Sequence, residues 1–517
     1  MTNMTLREKI GQLIYTGFPS THIPDEYKQL IKEYKLGNTI LFSHNVESSQ
    51  QLAAICAELQ ELFVEHTGQP GFISIDQEGG RVTRLPSDAT NVPGAMAIAS
   101  TGRPENAYAA GRMTARELRA LGVNFNLAPV MDVNNNKFNP VINVRSYGDE
   151  PETVAEYGIQ MMKGLQEGGV LSALKHFPGH GDTAVDSHIG LPVIEKTLEE
   201  LEQLELKPFR EAIDSGAECI MSAHILFPNI EAEKLPATMS RTIITDILKG
   251  KLGYNGLITT DCLEMQAIQK FYGTAEGALG ALKAGVHLLD ISHTPSLVIE
   301  AVEQIEAAVE SGELPLAIID EAVEKVLAYK RKYAAIEPAN LEIVGCEAHK
   351  RANELISLEG ICLLQGEVPA VENGNNDSLF VGSYAYRSDM AQSSVNKGIS
   401  FAEYMGEAFQ AASRIVEINP DADEIASVVE QAKSYKQVVV GLFNGRENKG
   451  QLELVKALHE AGLAVTAVAL GRPYDLEQLA DGICALAAFE YTPLVFQSLV
   501  RIMSGDYKPS GKLSITM

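Results

Sequence analysis

Two features of membrane-inserted and exported chains are missing from this sequence. No apolar run approaches the length needed to cross a bilayer. The N-terminal segment, which begins Met1-Thr2-Asn3-Met4, has no basic stretch, no apolar stretch and no small-residue cleavage site of the kind that marks a signal peptide. We therefore expect a cytoplasmic protein with no membrane partner, or a secreted one if a signal has been removed.

Paired cysteines are also missing. The 517 residues contain six cysteines, spread through apolar surroundings, and no two of them have a CxxC spacing. This usage is typical of reduced cysteines and supplies no ligand set for a structural zinc ion. We therefore expect no disulfide framework. Glycine loops of the GxGxxG or Walker type are absent too.

Positive charge is in short supply. There are 42 lysines and arginines against 68 aspartates and glutamates, which gives a formal net charge of -26. Such a surface repels the phosphates of nucleic acids and anionic lipids, and it favours solubility. Nucleic acid is therefore not an expected partner.

The first 335 residues alternate short apolar runs with longer segments of helical period, which is typical of βα units around a parallel sheet. Eight runs are candidate strands: Gln12–Phe18, Thr39–Phe42, Gly71–Asp76, Asn124–Pro129, Leu171–His176, Cys219–His224, Gly256–Asp261 and His287–Ile291. Helical patterns between them include Ser49–Glu65, Glu105–Leu121, Val154–Glu167 and Leu198–Ser215. Eight such units predict an N-terminal (β/α)8 TIM barrel over residues 1–335.

A second α/β unit is predicted after the barrel. A helical pattern ends near Tyr333, and the segment Ile336-Glu337-Pro338-Ala339-Asn340 opens a linker predicted over residues 336–350. Buried strands and helices then alternate again, which predicts a smaller C-terminal α/β sandwich over residues 351–517. The predicted strands are Leu379–Val381, Val438–Phe443, Ala464–Leu470 and Gly482–Ala487, and the predicted helices are Asp423–Ser434, Leu452–Ala461 and Pro493–Ser504.

Ionisable residues end several barrel strands. In a barrel the carboxyl ends of all strands meet on one face, where active sites are built. A single strand-ending aspartate is more often a turn former or a helix cap, but several together favour a functional face. These residues are Asp76, Asp132, Lys175, His176, His224, Asp261 and His293.

The densest acid and base chemistry follows the fifth strand. The segment Lys175-His176-Phe177-Pro178-Gly179-His180-Gly181-Asp182-Thr183 and the following Asp186-Ser187-His188 bring three histidines, two aspartates and a lysine together. Proline and glycines there exclude a regular helix or strand, so these groups lie on a loop that can fold around a ligand.

Two hypotheses fit this loop. In the first, Asp186 orients His188, whose ordinary pKa of about 6.5 suits proton transfer, while Asp261 attacks a sugar as a nucleophile. Asp261 could instead cap the helix that follows it. In the second, the loop binds zinc or iron through its histidines and aspartates, although Pro178 and Gly179 exclude a helical HExxH site. The candidate ligands are His176, His180, Asp182, Asp186 and His188.

Along its whole length the chain resembles glycoside hydrolase family 3, in its β-N-acetylglucosaminidase branch. The resemblance rests on five motifs in the family's order: DQEGGRV at 76–82, NVRSYGD at 143–149, KHFPGHGDT at 175–183, DSH at 186–188 and TTDCLEM at 259–265. Cys262 departs from the family, because many relatives have a second aspartate there.

The resemblance implies a residue for each catalytic role. Asp261 would be the nucleophile, His188 the general acid and base, and Asp186 the residue that orients His188. The residues implied to bind the terminal sugar are Asp76, Arg145, Lys175 and His176. Since the loop histidine replaces the glutamate that the family's glucosidases take from beyond the barrel, residues 340–517 need not contribute to catalysis.

The implied activity is that of a retaining exo-β-N-acetylglucosaminidase, which needs no metal or organic cofactor. It would remove non-reducing GlcNAc from amino-sugar oligosaccharides or muropeptides, such as GlcNAc-MurNAc fragments released during peptidoglycan recycling. Three alternatives remain open: a phosphorylase that uses phosphate in place of water, a non-catalytic sugar-binding protein and a metallohydrolase.

Overall fold

The structure is a computed structural model, and it describes residues 4–335, 338–387, 391–393 and 398–517. No helix within these ranges is both long enough and apolar enough to span a membrane.

The first eight strands form a closed parallel barrel, which confirms the predicted TIM barrel. They pair in the order β7-β6-β5-β4-β3-β2-β1-β8. The ring closes between β7 and β8, where the amide of Leu288 donates to the carbonyl of Ile258 and that of Thr260 to the carbonyl of Leu288, each at 3.0 Å. The strands are β1 Ile14–Thr16, β2 Asn38–Leu41, β3 Phe72–Ile75, β4 Phe125–Asn126, β5 Leu171–Phe177, β6 Cys219–Ser222, β7 Leu257–Thr260 and β8 Leu289–Asp290.

Twelve α-helices accompany the barrel strands in the described part of the chain. They are α1 Leu6–Gly11, α2 Asp25–Tyr34, α3 Ser49–Thr67, α4 Ala95–Ser100, α5 Pro104–Ala120, α6 Pro151–Glu167, α7 Leu198–Gln203, α8 Leu206–Asp214, α9 Gln266–Gln269, α10 Thr274–Ala284, α11 Pro295–Glu310 and α12 Leu316–Tyr333. A π-helix covers Thr242–Lys251, and short 3-10 helices cover Ser43–Asn45, Asn143–Arg145 and Ala237–Met239.

One predicted barrel helix is divided in two. The pattern over Leu198–Ser215 forms α7 and α8, and the chain leaves helical geometry at Leu204, where φ is -127° and ψ is -78°. Pro208 lies in the first turn of α8. A proline inside a helix removes a hydrogen bond and clashes with the preceding turn, whereas it is tolerated in a first turn. A new helix that begins just before Pro208 avoids that cost.

The C-terminal residues form a second, six-stranded sheet with helices on both faces, which confirms the predicted α/β sandwich. Its order is β11-β10-β12-β13-β14-β9, parallel except for β9, which runs antiparallel to β14. The strands are β9 Cys362–Gln365, β10 Ser378–Gly382, β11 Ala412–Ile415, β12 Gln437–Leu442, β13 Ala464–Ala469 and β14 Cys484–Ala487. The helices are α13 Glu347–Gly360, α14 Phe401–Phe409, α15 Ala422–Ala432, α16 Gly450–Glu460 and α17 Pro493–Met503, with 3-10 helices at Leu341–Ile343 and Pro473–Leu476.

The two strands missing from the sequence prediction are the edges of this sheet. Three of the four residues of β9 and all four residues of β11 are partly or fully exposed. An edge strand buries little of its surface, so its sequence has no continuous apolar run to reveal it. The predicted boundaries at residues 335, 350 and 351 stay predictions, and Ile336 and Glu337 lie outside the described residues.

A buried contact joins the barrel to the second sheet's helices. Glu117 on α5 is fully buried, and one of its carboxyl oxygens lies 2.6 Å from Nδ1 of His349 on α13. The other carboxyl oxygen accepts a hydrogen bond from the amide of Thr90 at 2.8 Å. Every polar atom of this carboxyl is thus satisfied, as a buried charge requires.

Replacing His349 with leucine should weaken the fold, because Glu117 would keep a buried carboxyl without its side-chain partner. We expect a loss of about 3 kcal/mol in the free energy of unfolding, measured by urea denaturation. The matched control is Lys456→Met, which removes the exposed partner of Glu460 on α16 and should change little. Equal effects in both variants would contradict the structural role of the buried pair.

Candidate active site

A cavity of about 570 Å³ opens at the carboxyl ends of the barrel strands. Six of the seven predicted site residues line it, and Asp186 lies directly behind one of them, His188. The six are Asp76, Arg145, Lys175, His176, His188 and Asp261. The structure therefore brings together side chains that are up to 185 positions apart in the chain, as the barrel topology predicts.

Asp261 follows β7 and faces the cavity. Its Oδ1 accepts a hydrogen bond from the amide of Cys262 at 2.8 Å. Burial by itself would raise the pKa of this carboxyl. The nearby imidazoles of His176, His224 and His188, together with the Cys262 amide, outweigh burial and lower the pKa of Asp261 to about 2. Asp261 is therefore ionised across the neutral pH range.

Asp186 and His188 form a hydrogen-bonded pair on the loop after β5. Nδ1 of His188 lies 2.7 Å from Oδ1 of Asp186, and the same oxygen accepts the amide of His188 at 2.9 Å. Asp186 is buried, whereas 29% of the His188 side chain remains exposed. Burial opposes a charge on the imidazole, but the hydrogen bond and charge of Asp186, aided by Asp261, raise the pKa of His188.

Two cations hold two carboxylates in the wall of the cavity. Arg145 binds both carboxyl oxygens of Glu78, at 2.7 and 2.8 Å. Nζ of Lys175 lies 2.7 Å from Glu78 and 2.8 Å from Asp76. Burial works against the charge of Glu78, but Arg145 and Lys175 lower its pKa well below the ordinary value. Because Glu78 takes up much of the charge of both cations, Asp76 keeps capacity to accept hydrogen bonds from a ligand.

Glu78 has no role in the sequence analysis, although it belongs to the DQEGGRV motif. The sequence feature that could have identified Glu78 as a site residue is its position two residues after Asp76, beside the Gly79-Gly80 turn that follows β3. Sequence spacing could not show which of the two acids contacts Arg145, because Arg145 lies 67 positions away.

His176 is oriented by a buried acid that the sequence analysis noted without a role. Nδ1 of His176 lies 2.7 Å from Oδ2 of Asp132, a fully buried carboxyl. The other oxygen of Asp132 accepts the amide of His180 at 2.7 Å. Because Nδ1–H of His176 donates its hydrogen bond to Asp132, Nε2 is the ring nitrogen that can contact a ligand in the cavity that His176 lines.

Asp290 is a further carboxyl in the cavity wall. It lies on β8, and its main chain bonds to residues on both sides of Asp261: its amide donates to Oγ1 of Thr260 and its carbonyl accepts the amide of Leu263. The hydroxyl of Ser292 donates to its carboxyl at 2.8 Å. Burial, reinforced by the negative charge of Asp261, raises the pKa of Asp290 well above its ordinary value.

The second domain also reaches the cavity. Arg387, Gln392 and Ser393 form part of its lining. The Ser393 hydroxyl accepts hydrogen bonds from the amide of Thr83 and from Nη1 of Arg84, each at 2.8 Å. The second domain therefore shapes the cavity wall. That residues 340–517 need not take part in the chemistry itself stays a prediction, because lining a cavity is not a catalytic role.

The predicted metal ligands are engaged in other contacts. Both imidazole nitrogens of His180 bond to hydroxyls, and Asp182 lies 2.8 Å from the amine of Lys196. Across the described residues no three histidine, cysteine, aspartate or glutamate side chains converge as a metal site would require.

The family model of the glycosyl hydrolase family 3 N-terminal domain matches residues 5–329, which is most of the chain. The chain belongs to glycosyl hydrolase family 3. The resemblance noted from the motifs is thereby confirmed, as is the expectation that the protein is a glycoside hydrolase.

Two relatives of this family 3 chain are named β-hexosaminidases. A β-hexosaminidase A of Pseudoalteromonas piscicida is 36% identical over 381 residues, which are 68% of this chain and 64% of that protein. A β-hexosaminidase of Thiobacillus denitrificans is 33% identical over 292 residues, covering 55% of this chain and 79% of that protein. The chain thus spans slightly less than two thirds of the first relative's length.

A solved family 3 structure matches both domains. It is the β-N-acetylglucosaminidase of Paenibacillus sp. strain FPU-7, with a TM-score of 0.92 and 37% identity over 99% of both chains. The barrel, the second sheet and their arrangement are therefore shared with an enzyme of the family.

The pKa of His188 should fall when Asp186 is replaced by asparagine, because the amide carries no charge to stabilise the imidazolium. Carbon-13-labelled histidine, with His188→Gln to assign the signal, lets the titration be followed by NMR. We expect the wild-type midpoint above the ordinary value of about 6.5 and the Asp186→Asn midpoint below that of the wild type. An unchanged midpoint would show that the 2.7 Å contact does not control the imidazole charge.

Proposed function

We propose that this family 3 chain is a retaining exo-β-N-acetylglucosaminidase that removes terminal GlcNAc by double displacement. The observation that carries the proposal is that Asp261 and His188, with Asp186 hydrogen-bonded to His188, meet at one cavity. The pKa of Asp261 is lowered to about 2 and that of His188 is raised, as a nucleophile and a general acid require. The printed names of the relatives supply the sugar class, since they are β-hexosaminidases and a β-N-acetylglucosaminidase.

In the first step Asp261 attacks C1 of the sugar. A carboxylate with a pKa of about 2 is ionised at neutral pH and has an electron pair available. Its oxygen forms the new bond to C1 while the bond between C1 and the leaving oxygen breaks, which inverts C1 and leaves a covalent glycosyl-enzyme.

His188 moves the protons of both steps. As an imidazolium it donates a proton to the leaving oxygen, and as an imidazole it then takes a proton from the water that attacks C1. The Asp186 carboxylate accepts a hydrogen bond from Nδ1–H, and that proton stays on the ring. Nε2 is therefore the nitrogen that exchanges protons with the substrate. The second inversion restores the original anomeric configuration.

Asp76, Arg145, Lys175 and His176 would bind the terminal sugar. Sugar hydroxyls donate well to carboxylates and accept from ammonium and guanidinium groups. Glu78 would hold Arg145 and Lys175 in position for this task, because it contacts both.

We further propose that the substrates are amino-sugar fragments derived from peptidoglycan, such as GlcNAc-MurNAc, handled in the cytoplasm. This finer assignment is supported by the branch of the family and by the resemblance of the KHFPGHGDT and DSH motifs. It is separable from the activity itself, because any terminal β-linked GlcNAc would meet the same catalytic groups.

Asp261→Asn should abolish turnover, because an amide cannot form the covalent bond to C1. On an aryl β-N-acetylglucosaminide we expect kcat/KM to fall roughly a thousandfold or more. Asp423→Asn, on the exposed first turn of α15, is the matched control and should keep wild-type rates. The wild type should prefer this substrate strongly over the matching β-glucoside.

The outcomes separate the alternatives. Glucoside preference would contradict the sugar class, and equal activity in Asp261→Asn would contradict the nucleophile. A rate that depends on phosphate and releases GlcNAc-1-phosphate would identify a phosphorylase. Proton NMR of the first product checks the mechanism, since double displacement releases the β anomer first.

A further inference from the structure

The loop that carries His188 is closed on itself by one imidazole. The side chain of His180 lies between two hydroxyls, with Nδ1 2.8 Å from Oγ1 of Thr183 and Nε2 3.1 Å from Oγ of Ser187. All three residues are buried. This bridge joins the start of the loop to the residue between Asp186 and His188.

The hydrogen-bond pattern sets the direction of each bond. The Thr183 hydroxyl donates its proton to the carbonyl of His180 at 3.0 Å, so its oxygen is free to accept from Nδ1. A neutral imidazole with its proton on Nδ1 accepts at Nε2, and the Ser187 hydroxyl is then the donor. Burial lowers the pKa of His180 to about 4, which agrees with a neutral ring.

His180 is itself held rigidly by the barrel. Its amide donates to the buried carboxylate of Asp132 at 2.7 Å. Asn139 donates to the carbonyls of both His180 and Gly181 at 2.9 Å. The imidazole to which Ser187 bonds is therefore held by the segment that follows β4 as well as by its own loop after β5.

Ser187 is also bound from the side of the nucleophile. Its carbonyl accepts the amide of Ala267, which lies six positions after Asp261, at 3.3 Å. Ser187 thus connects the His188 loop to the strand end that carries His180 and to the segment that follows Asp261. Both of its neighbours in sequence, Asp186 and His188, belong to the proposed proton-transfer pair.

We propose that His180 and Ser187 are positioning residues that hold His188 at the distance from the glycosidic oxygen that proton transfer requires. The inference rests on the proposed function, since it assigns His188 as the acid and base. Neither His180 nor Ser187 exchanges a proton with the substrate. The hydrogen bond between His180 and Ser187 fixes the main chain of Ser187 and thereby the position of the next side chain, His188.

Leaving-group dependence distinguishes positioning from general stabilisation. Departure of 2,4-dinitrophenolate needs little protonation, whereas departure of phenolate depends on a well-placed acid. The parameter kcat/KM reports the first bond cleavage for both aryl N-acetylglucosaminides. A displaced His188 therefore slows the phenyl substrate and spares the dinitrophenyl substrate, while a loss of folded enzyme lowers both equally.

The test compares Ser187→Ala, which removes the hydroxyl donor, with Ser187→Thr, which keeps it. For Ser187→Ala we expect kcat/KM on the phenyl substrate to fall roughly tenfold, which is a fraction of the rate enhancement that general acid catalysis contributes. On the dinitrophenyl substrate kcat/KM should change less than about twofold, because that leaving group needs little protonation. Ser187→Thr should recover most of the loss. Ser357→Ala, which removes another buried serine hydroxyl bonded to a side chain, should show no selective loss.

A second readout concerns the base step. If breakdown of the glycosyl-enzyme limits kcat on the dinitrophenyl substrate, Ser187→Ala should lower kcat, and azide should restore it because azide needs no base. His180→Gln, whose amide oxygen can accept from Ser187, should lose less than His180→Ala on the phenyl substrate.

Equal losses on both substrates in Ser187→Ala, or no loss on either, would overturn the inference. His188→Ala, measured alongside, separates it from the proposed function. A non-selective loss in His188→Ala contradicts the acid role and the inference with it. A selective loss in His188→Ala combined with a uniform one in Ser187→Ala contradicts the inference alone.

Discussion

Compensation of buried charge is the constraint on which the active-site face depends. An ionised carboxyl taken out of water costs several kcal/mol unless a cation or hydrogen-bond donor faces it. Asp132 is matched by the imidazole of His176 and Glu78 by two cations. Asp261 accepts a hydrogen bond from a backbone amide and lies near three imidazoles that favour its ionised form. Among the described residues Asp290 has no such cation as a side-chain partner, and burial raises its pKa well above the ordinary value.

The same constraint shapes the loop after β5. Its glycines and proline exclude a helix or strand, so its buried polar groups must find partners one by one. Asn139, Thr183 and Ser187 supply them, and the result is a loop with its own hydrogen-bond network around His180. The Asp186–His188 pair can therefore lie on irregular backbone and still have a defined position relative to Asp261, the proposed nucleophile.

The second domain forms part of the cavity wall. By sequence it is a separate α/β unit, and the barrel alone contains every residue of the proposed chemistry. In the structure its segment at 391–393 bonds to Thr83 and Arg84 and forms part of the cavity wall. The site is thus a barrel cavity with part of its wall supplied by a second domain, which affects the shape of the cavity.

Local patterns in the sequence were enough to predict the eight barrel strands, the central strands of the second sheet and the residues of the DSH and TTDCLEM motifs, because continuous apolar runs and short motifs depend only on neighbouring residues. The folded structure was needed to identify the edge strands β9 and β11, which bury too little surface to leave an apolar run, and the break between α7 and α8. It alone decided that Glu78 contacts Arg145 and Lys175, and that Asp132 contacts His176. These contacts join residues far apart in the chain, and the partner of a charge depends on which strand ends the closed barrel brings together.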